Sequence, residues 1–229
     1  MSQKAIILLS SGLDSTVATL IAAHSYDLTL ALTFDYGQRA AQREMETSSA
    51  LCKLLQINHK IVRLPWLNEE TKTALVDRSY DVPEPELKNL DSAEFDTASQ
   101  VWVPNRNGLF ISIAASYAEA RDASFIIAGF NAEEGETFPD NSREFVDASN
   151  EALKYSTMKD VQVISPTIDL TKKEISEEFL KYDIPLDLFW CCYHGEKKLC
   201  GKCESCLRTI RAFKDSKNWN DLKGRFKTI

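Results

Sequence analysis

The chain has 229 residues, 44% of them hydrophobic, enough to bury one sizeable core with a small appendage but not two independent large domains. Its net charge of −7 excludes a general nucleic-acid surface, because a phosphate backbone demands a basic face. The apolar stretches break well short of a bilayer span, no lipidation motif occurs and the opening residues carry no charged-then-apolar leader, so the expectation is a cytoplasmic protein with reduced thiols.

The first apolar run, residues 5–9, reads as a buried strand and leads into Ser10-Ser11-Gly12-Leu13-Asp14-Ser15-Thr16, with a helix-like stretch over 14–24. A strand that ends in small hydroxyl and glycine residues lets the backbone turn tightly and aim its N–H groups at an anion, with the positive end of the helix dipole behind them. Phosphate is the natural guest, although the Walker lysine is missing and Asp14 replaces it. The competing reading is a plain helix N-terminus capped by Asp14 or Ser15. Apolar runs follow at 28–34, 59–64, 124–129 and 162–165, and helix-like segments at 39–55, 108–121, 142–156 and 172–181. This alternation predicts an α/β fold, a Rossmann-like parallel sheet flanked by helices. Ligands in such sheets bind at the carboxyl ends of the strands, where Ser10, Asp35, Gly129 and Ser165 should ring one crevice. Residues 65–103, rich in Asp, Glu, Pro and Ser, interrupt the rhythm as a long surface excursion or lid.

Near the far end, Cys192, Cys200, Cys203 and Cys206 are separated by seven, two and two residues. Four thiolates at such spacing suit a structural zinc ion with no open ligand position. Cys191 and His194 lie close enough that spacing leaves the first ligand open; disulfide or reactive thiols are the alternative, disfavoured in a reducing compartment. Cys52 stands apart as an ordinary buried thiol. Of the three histidines, His24 and His59 read as helix-end or strand-edge residues, and no histidine-based nucleophile system is suggested. The expected organisation is therefore an ATP-binding α/β domain over 1–185 and a small zinc-binding helical region over 186–229. The tail of the latter from Lys202 to Ile229, locally basic through Arg208, Arg211, Lys214, Lys217, Lys223, Arg225 and Lys227, either lies over the nucleotide or a partner subunit, or forms a solvated helix face with a loose end.

The Ser-x-Gly-x-Asp-Ser pattern resembles the phosphate loop of the PP-loop ATP pyrophosphatases, adenine nucleotide alpha hydrolase-like enzymes that cut ATP between the α and β phosphates and transfer AMP to a substrate oxygen. Ser11 stands where that family has its first glycine. With Asp35-Tyr36-Gly37-Gln38, Val103-Pro104-Asn105-Arg106-Asn107, Gly129-Phe130-Asn131, Phe138-Pro139-Asp140-Asn141-Ser142-Arg143 and the four cysteines, in that order, nearly the whole chain is similar to the 7-cyano-7-deazaguanine synthase (QueC) family of queuosine-precursor biosynthesis. The resemblance implies an ATP-dependent carbon–nitrogen ligase that turns 7-carboxy-7-deazaguanine and free ammonia into the nitrile through an adenylated carboxylate and an adenylated amide. It further implies ATP, Mg2+ and Zn2+ as cofactors, a homodimer, and no nucleic-acid or membrane partner.

By the same resemblance, Leu9, Ser10, Ser11, Gly12, Leu13, Asp14, Ser15, Thr16, Asp35 and Gly129 hold the nucleotide. Asp14, Lys172 and Arg143 would act in catalysis: Asp14 helps to place magnesium, and Lys172 reaches the β and γ phosphates as a point charge. Arg143 grips a carboxylate or phosphate, unless a salt bridge to Glu144 or a neighbour occupies it. Tyr36, Gln38, Arg106, Phe130, Asn131, Phe138 and Asp140 form the substrate pocket, with aromatic faces for stacking and Asp140 to accept from an amino-pyrimidine edge. Residues 132–137 and Asn141 depart from the Asp-Tyr-Ser-Gly and Cys expected there. The alternatives are a relative that adenylates another deazapurine or acid for a different acceptor, and a tRNA-modifying PP-loop enzyme; the acidic chain and the committed cysteines weigh against the latter.

Overall fold

In a computed structural model, which describes residues 2–90 and 94–229, the chain runs β1 (Lys4–Leu8), α1 (Leu13–Ser25), β2 (Asp27–Asp35), α2 (Ala41–Leu55) and β3 (His59–Arg63). The middle adds α3 (Pro65–Glu70), α4 (Glu94–Val101), α5 (Arg106–Ala120), β4 (Phe125–Ile127), α6 (Ala132–Thr137) and α7 (Arg143–Ser156). The last part holds β5 (Gln162–Ile164), α8 (Lys172–Phe179), α9 (Glu204–Phe213) and α10 (Trp219–Lys223), and short 3-10 turns occupy Leu87–Asn89, Pro139–Asn141 and Leu186–Leu188.

All strand pairs are parallel, in the order β3-β2-β1-β4-β5. The chain builds outward from β1 on one side, then returns to build β4 and β5 on the other, so the direction of winding reverses at β1. A crevice opens at the carboxyl ends of the strands where the order reverses. Alternate side chains of β1 explain why helices cover both faces: Ile6 packs with Leu30, Leu32, Ile111 and Ala114, while Ala5 and Ile7 pack with Ala18, Ala31 and Leu51. The predicted α/β sheet is thus observed, with strand ends moved by at most two residues. β4 is the shortest relative to its apolar run, because Gly129 turns beneath the loop that follows β1. Three helices went unread, α3 and α4 inside 65–103 and α6 over 132–137. All are short and polar, so no apolar period marks them. Residues 91–93 of the expected excursion lie outside the described residues.

A third apolar cluster joins Leu13, Val17 and Leu20 of α1 to Ile175 and Phe179 of α8 and to Phe189, Phe213 and Leu222. At its centre Phe179, Phe189 and Phe213 touch one another at centroid separations of 5.3, 5.9 and 6.4 Å. The cysteine-bearing end is therefore packed on the helix that follows the loop after β1 and on the helix that begins with Lys172. Its last residues are tied down rather than loose: Lys227 N–H donates to the Leu199 carbonyl at 2.8 Å, Leu199 N–H donates to that of Arg225, and the Arg225 guanidinium donates to the carbonyls of Leu186 and Phe189. Cys52 is buried in α2, and desolvation pushes its thiol up to about 12. His24 sits in the last turn of α1 against the Leu20 carbonyl, and His59 opens the edge strand β3, 2.8 Å from Thr33 Oγ1. No helix among the described residues is long and apolar enough to cross a membrane.

Candidate active site at the carboxyl ends of the strands

The turn from β1 into α1 is a loop with unmet polar capacity. Ser11 adopts φ 61°, in the left-handed region that favours glycine, and its carbonyl accepts from Trp190 N–H at 2.7 Å. Ser10 and Ser15 share a hydroxyl hydrogen bond of 3.1 Å, and Ser15 Oγ donates back to the Gly12 carbonyl. The N-cap of α1 is Gly12, with no side-chain capping bond, so neither Asp14 nor Ser15 serves as the cap that the competing reading required. Ser11 Oγ, Asp14 Oδ1 and Thr16 Oγ1 are buried without a hydrogen-bond partner. Buried polar groups are nearly always paired, so three unpaired atoms in one turn are a local concentration of unmet hydrogen-bonding capacity. Gly129 lies directly below: a Cβ there would stand 2.5 Å from Ser15 Cα and 2.6 Å from Ser15 N, and only glycine lets the end of β4 pass.

A buried charge cluster faces the loop. Lys172 is the first residue of α8, whose start is fixed by a capping box between Thr171 and Glu174. Its Nζ lies 2.7 Å from Asp14 Oδ2 and 2.9 Å from Glu134 Oε1. Burial opposes the charge of Lys172, yet the two carboxylates outweigh it and hold the ammonium protonated well above its ordinary range. Burial likewise pushes Glu134 up, but Lys172 and Arg208 bring it below the usual carboxylate range. Asp14 stays raised because burial exceeds the pull of Lys172. The neighbouring Glu133 accepts Lys172 N–H at 2.8 Å and meets Arg208 and Arg211 of α9 at 3.5 and 3.4 Å. α6 is thus clamped between α8 and α9, and Arg208 also pairs with Glu204 at 3.0 Å.

Two cavities adjoin the cluster. The larger, about 210 Å3, is lined by Leu9, Ser10, Gly12, Asp14 and Ser15 of the loop region, by Phe34, Tyr36, Gln38 and Glu44, and by Gly129, Phe130 and Trp190. The smaller, about 140 Å3, is lined by Trp102, Phe138, Asp140, Glu204 and Arg208 among others. Arg106, Glu134, Asn141, Leu75 and Tyr193 border both. In the larger chamber Gln38 bridges three groups: its amide nitrogen donates to the Phe34 carbonyl and to Glu44 Oε2 at 2.9 and 2.8 Å, and its oxygen accepts from Tyr36 N–H. Burial pushes the Glu44 carboxyl up to about 7, with Gln38 and Arg106 offsetting part of the shift. Arg106 Nη1 donates to the Tyr36 hydroxyl at 3.4 Å, and burial raises the pKa of that phenol.

The cysteines gather beneath the larger chamber. The Sγ atoms of Cys192, Cys200, Cys203 and Cys206 all lie within 4.8 Å of one another, three of the four residues being buried. Cys200 N–H donates to Cys192 Sγ, and the N–H groups of Lys202 and Cys203 donate to Cys200 Sγ, at 3.2 to 3.4 Å. Such bonds stabilise thiolate and orient it, as outer partners do around metal-binding sulfur. Gly201, φ 80°, makes the tight turn between two of the thiols. Four soft sulfur donors at this separation fit a tetrahedral zinc ion, and Cys192 rather than Cys191 belongs to the group.

Residues 4–217 match the family described as queuosine biosynthesis protein QueC. The chain belongs to this family. It is 49% identical over 218 residues to a 7-cyano-7-deazaguanine synthase of Methanosarcina mazei, covering 93% of this chain and 94% of that one. A relative of the same name from Carboxydothermus hydrogenoformans is 50% identical over 210 residues, 92% of this chain and 98% of its own. One from Bdellovibrio bacteriovorus is 46% identical over 229 residues, 99% of this chain and 98% of its own. Among solved structures, the NH3-dependent NAD synthetase of Campylobacter jejuni aligns with a TM-score of 0.45 at 19% identity, over 98% of this chain and 84% of that one.

Of the residues that the QueC resemblance singled out, Leu9, Ser10, Gly12, Asp14, Ser15, Gly129, Tyr36, Gln38, Arg106 and Phe130 meet in the larger chamber, and Phe138 and Asp140 in the smaller. Lys172 reaches the loop through Asp14. Ser11 and Thr16 are buried within the loop and first turn, and Leu13 faces the apolar cluster with Val17. Three others line neither chamber. Asp35 accepts Gly37 N–H and lies 3.7 Å from Arg63 Nε. Asn131 caps α6, its Oδ1 accepting Glu134 N–H at 3.0 Å. Arg143 is exposed and ion-paired with Asp169, because Ser142 caps α7 and sets its first residue toward solvent; the surface salt bridge, to Asp169 rather than Glu144, is what forms. Sequence reasoning missed Glu133 and Glu134, which sit in the stretch read only as a departure, as well as Glu44 and Trp102; Arg208, read only as part of the basic tail, lines the smaller chamber. Trp102 adjoins the Val103–Asn107 motif and was within reach of that signal; the carboxylates carry no local mark.

Proposed function

We propose that this QueC-family chain is an ATP-dependent ligase that converts 7-carboxy-7-deazaguanine and ammonia into 7-cyano-7-deazaguanine. Support comes from relatives of that name aligned along more than nine-tenths of both chains. The geometric observation that carries the reading is the unmet polar loop at the carboxyl end of β1, facing a buried lysine held by two carboxylates.

The substrate carboxylate attacks the α phosphorus of ATP, the bond to the β-phosphate bridge breaks, and pyrophosphate leaves. Ammonia then attacks the acyl carbon, AMP departs, a proton is lost and the amide forms. The amide oxygen attacks the α phosphorus of a second ATP, with loss of pyrophosphate; cleavage of the C–O bond with AMP leaving and loss of the remaining N–H protons gives the nitrile. Both activations ask the same thing of the protein, to neutralise charge that moves onto the leaving pyrophosphate. The loop N–H groups and the α1 dipole hold that end. Lys172, already protonated, exchanges its carboxylate partners for phosphate oxygens, and this frees Asp14 and Glu134. Those two carboxylates are suited to hold Mg2+, which supplies Lewis-acid charge neutralisation when bound. Cys192, Cys200, Cys203 and Cys206 hold Zn2+ as a structural ion. A cytoplasmic homodimer acting on small molecules completes the reading.

Incubation of the protein with ATP, Mg2+, ammonium and 7-carboxy-7-deazaguanine should yield two AMP and two pyrophosphate per nitrile. AMP release with other acids but never with this one overturns the substrate.

A further inference from the structure

The smaller chamber carries the groups that a planar, amino-bearing acid requires. Trp102 and Phe138 stand parallel, 5° between ring planes and 6.1 Å between centroids, and neither ring is fully buried. Asp140 is buried and receives Asn107 N–H at 3.4 Å and Asn141 Nδ2 at 3.1 Å. A carboxylate offers about four acceptor positions, so Asp140 keeps capacity for two more donors. Arg106, on the border with the nucleotide chamber, donates a long bond to Tyr36; Asp140 and Glu44 act on its charge through space, but no carboxylate among the described residues lies within ion-pair distance of it. A guanidinium with no anion in direct contact keeps unfilled donors, and its planar fork takes a carboxylate by two bonds. Residues from both sides of the chain build this chamber: Trp102 from the stretch between α4 and α5, Phe138 and Asp140 from the end of α6.

We propose that the smaller chamber receives the acid, its ring stacked on the Trp102–Phe138 pair, its amino-pyrimidine N–H groups donating to Asp140 and its carboxylate turned to Arg106. This rests on the adenylation reading above and adds where the acid sits: across Arg106 from the nucleotide, with the attacking oxygen at the junction of the two chambers. The pairing also accounts for selectivity. A buried acceptor left without its donor penalises an analogue that lacks the amino group far more than a lost methyl contact does.

The test titrates 7-carboxy-7-deazaguanine into the zinc-loaded protein without ATP, following tryptophan fluorescence and the dissociation constant. The wild type should show a change in emission; Trp102→Leu should lose it, and both Trp102→Leu and Phe138→Leu should bind the acid at least about 10-fold more weakly. Their KM for ATP and zinc content should stay within about twofold of wild type, which separates a lost contact from a lost fold. The analogue without the 2-amino group should bind the wild type roughly 10-fold more weakly or worse, and Asp140→Asn should erase most of that difference. Unchanged affinity in both ring variants, or full discrimination in Asp140→Asn, overturns the chamber assignment while the enzyme still makes AMP from this acid. Failure of the wild type to make AMP from it overturns the function and the assignment together.

Discussion

The loop after β1 leads into α1 and the cysteine-bearing end packs on the same helix, yet the two treat charged groups differently. The loop leaves Ser11 Oγ, Asp14 Oδ1 and Thr16 Oγ1 buried and unpartnered. Around α9 the charged groups are engaged: Arg208 with Glu204 and Glu133, Arg211 with Glu133, and Arg225 with two carbonyls. The loop concentrates three unpaired polar atoms in one turn, whereas the charged groups around α9 are paired and its unpaired atoms are the neutral Ser216 Oγ and Asn218 Oδ1 beyond its end. The contrast also shows how the two are linked. α6 stands between them, with Glu134 on the Lys172 side and Glu133 on the α9 side, so two adjacent residues couple the scaffold to the loop.

The largest effect should come from the loop side. Asp14→Ala should lower AMP release by about a thousandfold or more, since it removes the partner of Lys172 and the carboxylate nearest the loop, while zinc content stays unchanged. Activity within tenfold of wild type would remove Asp14 from the mechanism. On the scaffold side, metal analysis should find about one zinc per chain, and Cys203→Ser should lose it together with soluble yield, because Cys203 also opens α9. Soluble, active Cys203→Ser without zinc would break the comparison.

The link itself should give a smaller change. Glu133→Gln weakens the contacts to Arg208 and Arg211, so AMP release should fall by roughly tenfold with zinc retained and stability lower by about 1 kcal/mol. No change in activity would mean that α9 does not act through α6.

The smallest effect is a pH dependence at Glu44. Its folded value is raised from 4.5 to about 7, so the stability it contributes is fully present below 4.5 and is lost as pH rises through about 7. Glu44→Gln should therefore match the wild type in thermal stability near pH 4.5 and exceed it at pH 8, by on the order of 2 kcal/mol. Equal melting temperatures at both pH values would show that the carboxyl titrates as an exposed one.

Legibility in the sequence followed the range over which each feature is specified. The five strands and the loop are written in contiguous residues, apolar runs and a Ser-x-Gly-x-Asp-Ser turn, and both appear in the structure with small shifts at the ends. The cysteine set was readable for the same reason, apart from the choice between Cys191 and Cys192, which depends on which of two adjacent side chains turns inward. Arg143 and Asp35 show the opposite case. Their motifs lie at the right ends of the right elements, yet the caps and neighbours of those elements direct the side chains to Asp169 and Arg63.

By itself, then, the order of residues determined the parallel α/β sheet, the tight Ser-x-Gly-x-Asp-Ser turn after its first strand and the four-thiol group, because each is set by neighbours a few positions apart. Only the tertiary structure decided that Glu133 and Glu134 couple α9 to Lys172, that Arg106 borders both chambers, and that Trp102 meets Phe138. Those juxtapositions join residues 36 to 78 positions apart, and no local pattern records a contact that exists only after the sheet has brought the ends of its strands together.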